Sequence, residues 1–121
     1  MTPLLLSCSQ FTGGTMITVT GELDSTNAQL LEAYRAEVHP DLTRPLVLDL
    51  GGMTFMDSSG LQLLLRLHEL ARRSGCPLLL ADLHPRAARV LEITGVLPRL
   101  TVYATPEEAL HAAGLVNSTA P

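Results

Sequence analysis

Short apolar or β-branched runs alternate along this chain with longer stretches whose apolar residues recur at helical spacing, and their order predicts the fold. Leu4–Ser9 and Met16–Thr20 are strand-like, and Gly13-Gly14 between them permits positive φ in a tight connection, so a β-hairpin opens the chain. After Gly21-Glu22-Leu23-Asp24 the period changes. Leu31, Tyr34 and Val38 follow the candidate caps Asp24, Ser25 and Thr26 and predict a helix over about Thr26–Val38, stopped by His39-Pro40. Leu46–Leu50 is a nearly continuous apolar run, the pattern of a central strand covered on both faces, with Gly51-Gly52 marking its end.

From Leu61 to Arg73 the polar residues Gln62, Arg66, Glu69 and Arg73 form one stripe and leucines fill most of the remaining circumference, which predicts a strongly buried amphipathic helix closed by Gly75. Pro77–Ala81 supplies another strand. Pro85 opens a third helix containing Ala87, Val90, Leu91 and Thr94 and closed by Gly95. Leu100–Tyr103 adds a last short strand, and Thr105-Pro106-Glu107-Glu108 is a capping-box pattern that starts a final helix through Ala113. The order ββαβαβαβα calls for an α/β fold: one mixed, mostly parallel sheet of four or five strands with about four helices and right-handed crossovers. A single domain over residues 1–121 is expected, with an ordered core over about 3–114, a tail over 115–121 and fraying from Asn117 to Pro121.

Composition narrows the chemistry. Eight basic against twelve acidic residues give a net charge of −4, which provides no electrostatic footprint for nucleic acid or an anionic membrane. All eight basic residues are arginine. Without lysine there is no P-loop, no Schiff-base catalysis and no lysine-activated serine, and a phospho-aspartate receiver domain is disfavoured. No run approaches the roughly 18 apolar residues needed to cross a bilayer, so no membrane insertion is expected. Cys8 and Cys76 fall in segments that read as buried strands or their edges, the pattern of structural thiols in a reducing cytoplasm. The four histidines are scattered, with no i,i+4 pair for a metal.

The candidate chemistry lies in Met53-Thr54-Phe55-Met56-Asp57-Ser58-Ser59-Gly60-Leu61, between a buried strand and the start of the most apolar helix. Helix N-termini in such positions favour anions and phosphorylated hydroxyls. Asp57, Ser58 and Ser59 are also good N-caps, so a merely well-capped helix is an equal reading of the segment. Phe55-Met56 would place two large apolar residues in or near a loop beside the hydroxyls, which suits a docking surface. A serine hydrolase is disfavoured because G-x-S-x-G is absent.

Gly21-Glu22-Leu23-Asp24, the strand ending in Asp49-Leu50, and Phe55-Met56-Asp57-Ser58-Ser59-Gly60-Leu61 together resemble the STAS domain over nearly the whole chain. The spacing of these motifs is most similar to that of stand-alone bacterial anti-sigma factor antagonists. The resemblance implies phosphorylation at Ser58, the first hydroxyl residue after the aspartate, by a serine kinase that doubles as anti-sigma factor. It also implies that the unphosphorylated protein binds this kinase and releases a sigma factor, and that a PP2C-type phosphatase restores the bound state. The protein is then no enzyme, needs no cofactor, and is a cytoplasmic monomer or weak dimer. The family's use of this surface assigns Asp24, Met56, Asp57, Ser59, Leu61 and Gln62 to the partner patch; without lysine, any basic contact with a partner must use arginine, with Arg66 and Arg73 on the exposed stripe as candidates. Both serines offer the same chemistry, and only family position favours Ser58. The alternatives are a non-phosphorylated STAS subunit of a phospholipid-transport ABC system or stress-signalling assembly, and direct binding of a nucleotide or small ligand at the Asp57–Gly60 turn.

Overall fold

In the computed structural model, which describes residues 2–115, five strands form one sheet in the order β1-β2-β3-β4-β5. The strands are β1 Leu5–Phe11, β2 Gly14–Leu23, β3 Leu46–Met56, β4 Leu79–Ala81 and β5 Thr101–Tyr103. The helices are α1 Ala28–Val38, α2 Ser58–Arg73, α3 Pro85–Ile93 and α4 Pro106–Ala112, and a short 3-10 turn at Leu97–Arg99 precedes β5. Only β1 is antiparallel to its neighbour; β2 through β5 run parallel, as the ββαβαβαβα order requires.

Two apolar layers hold the sheet. On one face α1, α2 and α3 place Leu31, Leu63, Leu64, Leu67, Ala87 and Leu91 against Ile17, Val19, Leu46, Leu48 and Leu50. On the other, Ala109 of α4 and Leu115 pack on Val47, Leu79 and Ala81. Helix-covered faces explain why β3 and β4 read as continuous apolar runs rather than alternating ones. Leu115 is 3% exposed, so the ordered core extends past the expected limit at residue 114; the expected fraying at 117–121 lies outside the described residues.

Several expectations are corrected. Gly13-Gly14 does not supply positive φ; the positive-φ glycines are Gly21, Gly75, Gly95 and Gly114. Gly14 is needed for closeness instead, because a Cβ there would lie 2.3 Å from the Pro45 carbonyl oxygen. The strand expected to end at Gly51-Gly52 continues to Met56, six residues past Leu50. Thr18 and Thr20 of β2 face Asp49 and Gly52 of β3, and Gly21 and Glu22 face Met53 and Phe55, so β3 carries two extra residues in bulges. Each bulge resets the side-chain alternation, which is how Leu50, Met53 and Met56 all reach the core. The glycines permit it: a Cβ on Gly51 would meet an Asp82 oxygen at 2.2 Å, and one on Gly52 the Thr20 methyl at 2.6 Å. Cys76 lies in the turn between α2 and β4 rather than in a strand; both cysteines are free and half-buried.

Candidate functional site

The ends of β2 and β3 lie side by side, with Leu23 opposite Met56, so the turns that follow them meet at the N-terminus of α2. Asp57 locks this junction. Its backbone is extended, and one carboxylate oxygen accepts from the N–H groups of Ser59 at 2.9 Å and Gly60 at 3.2 Å, making it the N-cap of α2. The other oxygen accepts from the N–H of Ser25 at 3.2 Å, across 32 residues of sequence. The Asp57 N–H in turn donates to the Leu23 carbonyl at 3.2 Å. Holding three N–H groups, this carboxylate serves as scaffolding for the junction.

The turn after β2 has its own lock. One Asp24 oxygen accepts from the Thr26 hydroxyl and from the Thr26 N–H, the latter at 2.9 Å. These bonds, the hydroxyl's foremost, hold the Asp24 carboxyl below its ordinary range, so it is charged at neutral pH. Asn27 bridges the turn, accepting from the Asp24 N–H at 2.9 Å and donating to the Glu22 carbonyl at 2.8 Å. The expected caps Asp24, Ser25 and Thr26 therefore do not cap α1. Its N-cap is Asn27, whose side chain is spent on the turn, and the helix begins two residues late.

Gly60 explains the glycine of the Asp57-Ser58-Ser59-Gly60 run. A Cβ there would sit 2.8 Å from Met56 Cγ and 3.0 Å from Leu23, so only glycine lets the first turn of α2 close on the two strand ends. That closeness lifts Ser58 into solvent as the first residue of α2, while Ser59 is half-buried. Asp24 and Leu61 are half-buried at the rim, and Gln62 is exposed one turn along. Met56 does not join the surface as expected. It is 3% exposed because it ends the strand pointing inward, and its neighbour Phe55, 44% exposed, presents the apolar surface instead. The expected loop around Phe55-Met56 is the last part of β3.

Beside Ser59 a groove of about 320 Å³ runs between α1 and α2, lined by Ala28, Gln29, Ser59, Gln62, Leu63 and Arg66. The local pattern of Asn27 and Gln29 gives no sign of this site, and that of Ser25 points only to a helix cap, because sequence spacing does not show that the turn after β2 and the start of α1 meet α2. Among the described residues no group of three His, Cys, Asp or Glu side chains could hold a metal, and no helix is long and apolar enough to cross a membrane.

The family profile described as the STAS domain matches residues 8–109. A Bordetella bronchiseptica protein named as an anti-sigma factor antagonist, BtrV, is 33% identical over 108 residues, 89% of this chain and 92% of its own length. A crystal structure of an anti-sigma factor antagonist from Mycobacterium paratuberculosis superposes with a TM-score of 0.81 at 26% identity, covering 93% of this chain and 95% of the other. The anti-sigma factor antagonist SpoIIAA in its unphosphorylated form gives a TM-score of 0.65 at 26% identity, over 93% of this chain and all of that one. With the five-stranded sheet, the paired turns and the family match in agreement, this chain belongs to the STAS domain family.

Proposed function

We propose that this chain is an anti-sigma factor antagonist that acts as a phosphorylation-controlled switch and not as an enzyme. Unmodified, it binds an anti-sigma factor with serine kinase activity and so releases a sigma factor in the cytoplasm. Phosphorylation at Ser58 ends the binding, and a PP2C-type phosphatase reverses it. The observation that carries this reading is the position of Ser58: exposed at the first residue of α2, on a shoulder fixed by Asp57 and Gly60. The names of the relatives, one of them described in an unphosphorylated form, support it. Of the two hydroxyls, Ser58 is the more exposed, while Ser59 is half-buried beside the groove, which favours Ser58 as the target.

Electrostatics supply the off-state. A phosphate adds about −1.5 to −2 charges next to Asp57 and on the same shoulder as the charged Asp24. The helix dipole recovers only about 0.3–1 kcal/mol at an exposed N-terminus. Two like unit charges about 5 Å apart repel by roughly 3 kcal/mol at an effective dielectric of about 20. A closely docked acidic or nucleotide-bearing partner surface therefore loses about a hundredfold in affinity. The surface of Asp24, Asp57, Ser59, Leu61 and Gln62, with Phe55 at its edge, is the proposed partner patch.

Phosphosite mapping by mass spectrometry on the protein from its own cells, growing and stressed, tests this reading. The expected result is a condition-dependent phosphate on Ser58 with a small kinase-type ATPase among the copurifying proteins. Unmodified Ser58 and Ser59 with a transporter ATPase as companion would favour a phospholipid-transport subunit on the same fold.

A further inference from the structure

The exposed polar stripe of α2 carries arginines in two different electrostatic states. At its C-terminal end Glu69 accepts from Arg72 at 2.6 and 3.1 Å and from Arg73 at 3.2 Å. The Arg72 hydrogen bond, foremost among these, pulls the Glu69 carboxyl down to about 2, so it stays charged and neutralises its neighbours. On α1, Arg35 is likewise paired with Glu32. Arg66 has no such partner: among the described residues no carboxylate lies within ion-pair distance of it.

Arg66 also occupies a distinct place. It lines the α1–α2 groove together with Ser59 and Gln62, and these three positions fall at i, i+3 and i+7 on one face of the helix. Gln29 faces them from α1, and Ala28 and Leu63 form the apolar part of the lining. An unneutralised guanidinium, two amides and a hydroxyl thus converge on one cleft, in a chain whose net charge is −4. A guanidinium presents a planar fork of donors that matches a carboxylate in bidentate fashion. The groove opens alongside the serine shoulder and is continuous with the proposed partner patch.

We propose that the α1–α2 groove receives an aspartate or glutamate side chain of the anti-sigma factor, anchored by Arg66 with Gln29 and Gln62 beside it. The proposal rests on the antagonist reading above and adds to it a second determinant, about 12 Å along the helix axis from Ser58. The serine sets whether the partner is accepted, and the groove sets which acidic segment fits.

Isothermal titration of the copurified anti-sigma factor into wild type, Arg66→Ala, Arg66→Lys, Arg66→Glu and Arg99→Ala tests it, with circular dichroism to check that each variant is folded. Arg66 is exposed, so its variants are expected to fold normally. Arg66→Ala should bind about tenfold to a hundredfold more weakly, as expected for losing a charged hydrogen bond. Arg66→Lys should fall between it and wild type, and Arg99→Ala, at an exposed arginine of the turn before β5, should stay within twofold. Arg66→Glu should bind weakest and be rescued when the partner's groove-facing carboxylate is changed to arginine. If Arg66→Ala and Arg66→Glu bind within twofold of wild type while Ser58→Asp does not, this inference fails and the antagonist reading stands. If wild type itself does not bind, both fail.

Discussion

The Asp57 carboxylate accepts two N–H groups from its own helix and one from the turn after β2, so removing it strikes two elements at once. Asp57→Ala should cost about 1–2 kcal/mol of stability, the upper half of the usual range for an N-cap, whereas Asp57→Asn, which keeps an acceptor, should cost much less. Urea denaturation of the two variants checks this, and equal losses would mean that charge rather than capping holds the junction. The capping role of Asp57 was legible in the sequence because Asp, Ser and Ser precede an apolar helix. Its bond to Ser25 was not, because local spacing carries no information about which two turns meet. The inward position of Met56 is hidden for a similar reason: without the two bulges in β3, simple alternation gives the wrong phase at the end of the strand.

At the scale of elements, β3 shows how glycine can mislead. Gly51-Gly52 looks like the end of a strand, yet here the pair removes side chains where Asp82 and Thr20 press on the backbone, and the strand continues. The connection into β3 is held by His39, which follows the last turn of α1 and is 4% exposed. One ring nitrogen lies 2.8 Å from the Thr15 hydroxyl of β2, and Nε2–H donates to the Arg44 carbonyl at 3.0 Å. Burial, more than any other cause, lowers the His39 pKa below its ordinary 6.5; Arg35 and Arg44 act in the same direction, while the bond to the Arg44 carbonyl and Asp41 oppose it. The unfolded chain therefore takes up a proton near pH 6.5 that the folded chain still resists. The stability contributed by His39 is complete above that pH and is lost as pH falls through the lower folded value. Urea midpoints at pH 7.5 and 5.5 should differ more for wild type than for His39→Gln, and parallel curves would remove His39 as the cause.

Across the whole molecule, the strand and helix order was readable because each βα unit announces itself: a short apolar run, a turn, then a helical stripe. The pairing of β2 with β3 and the coverage of both sheet faces follow from that order with few alternatives. The proposed switch sits at the carboxyl ends of β2 and β3, where the sheet delivers two turns and one helix N-terminus to a common point. Ser58 is exposed there, outside the buried core, so the charge that the proposed phosphorylation adds falls on the surface. The most direct test of this account is the affinity of the cognate anti-sigma factor for the unphosphorylated and Ser58-phosphorylated chain, measured side by side by calorimetry. The account predicts a loss of about a hundredfold on phosphorylation, with Ser58→Ala binding like the unmodified chain. Equal affinity for the two forms would contradict it.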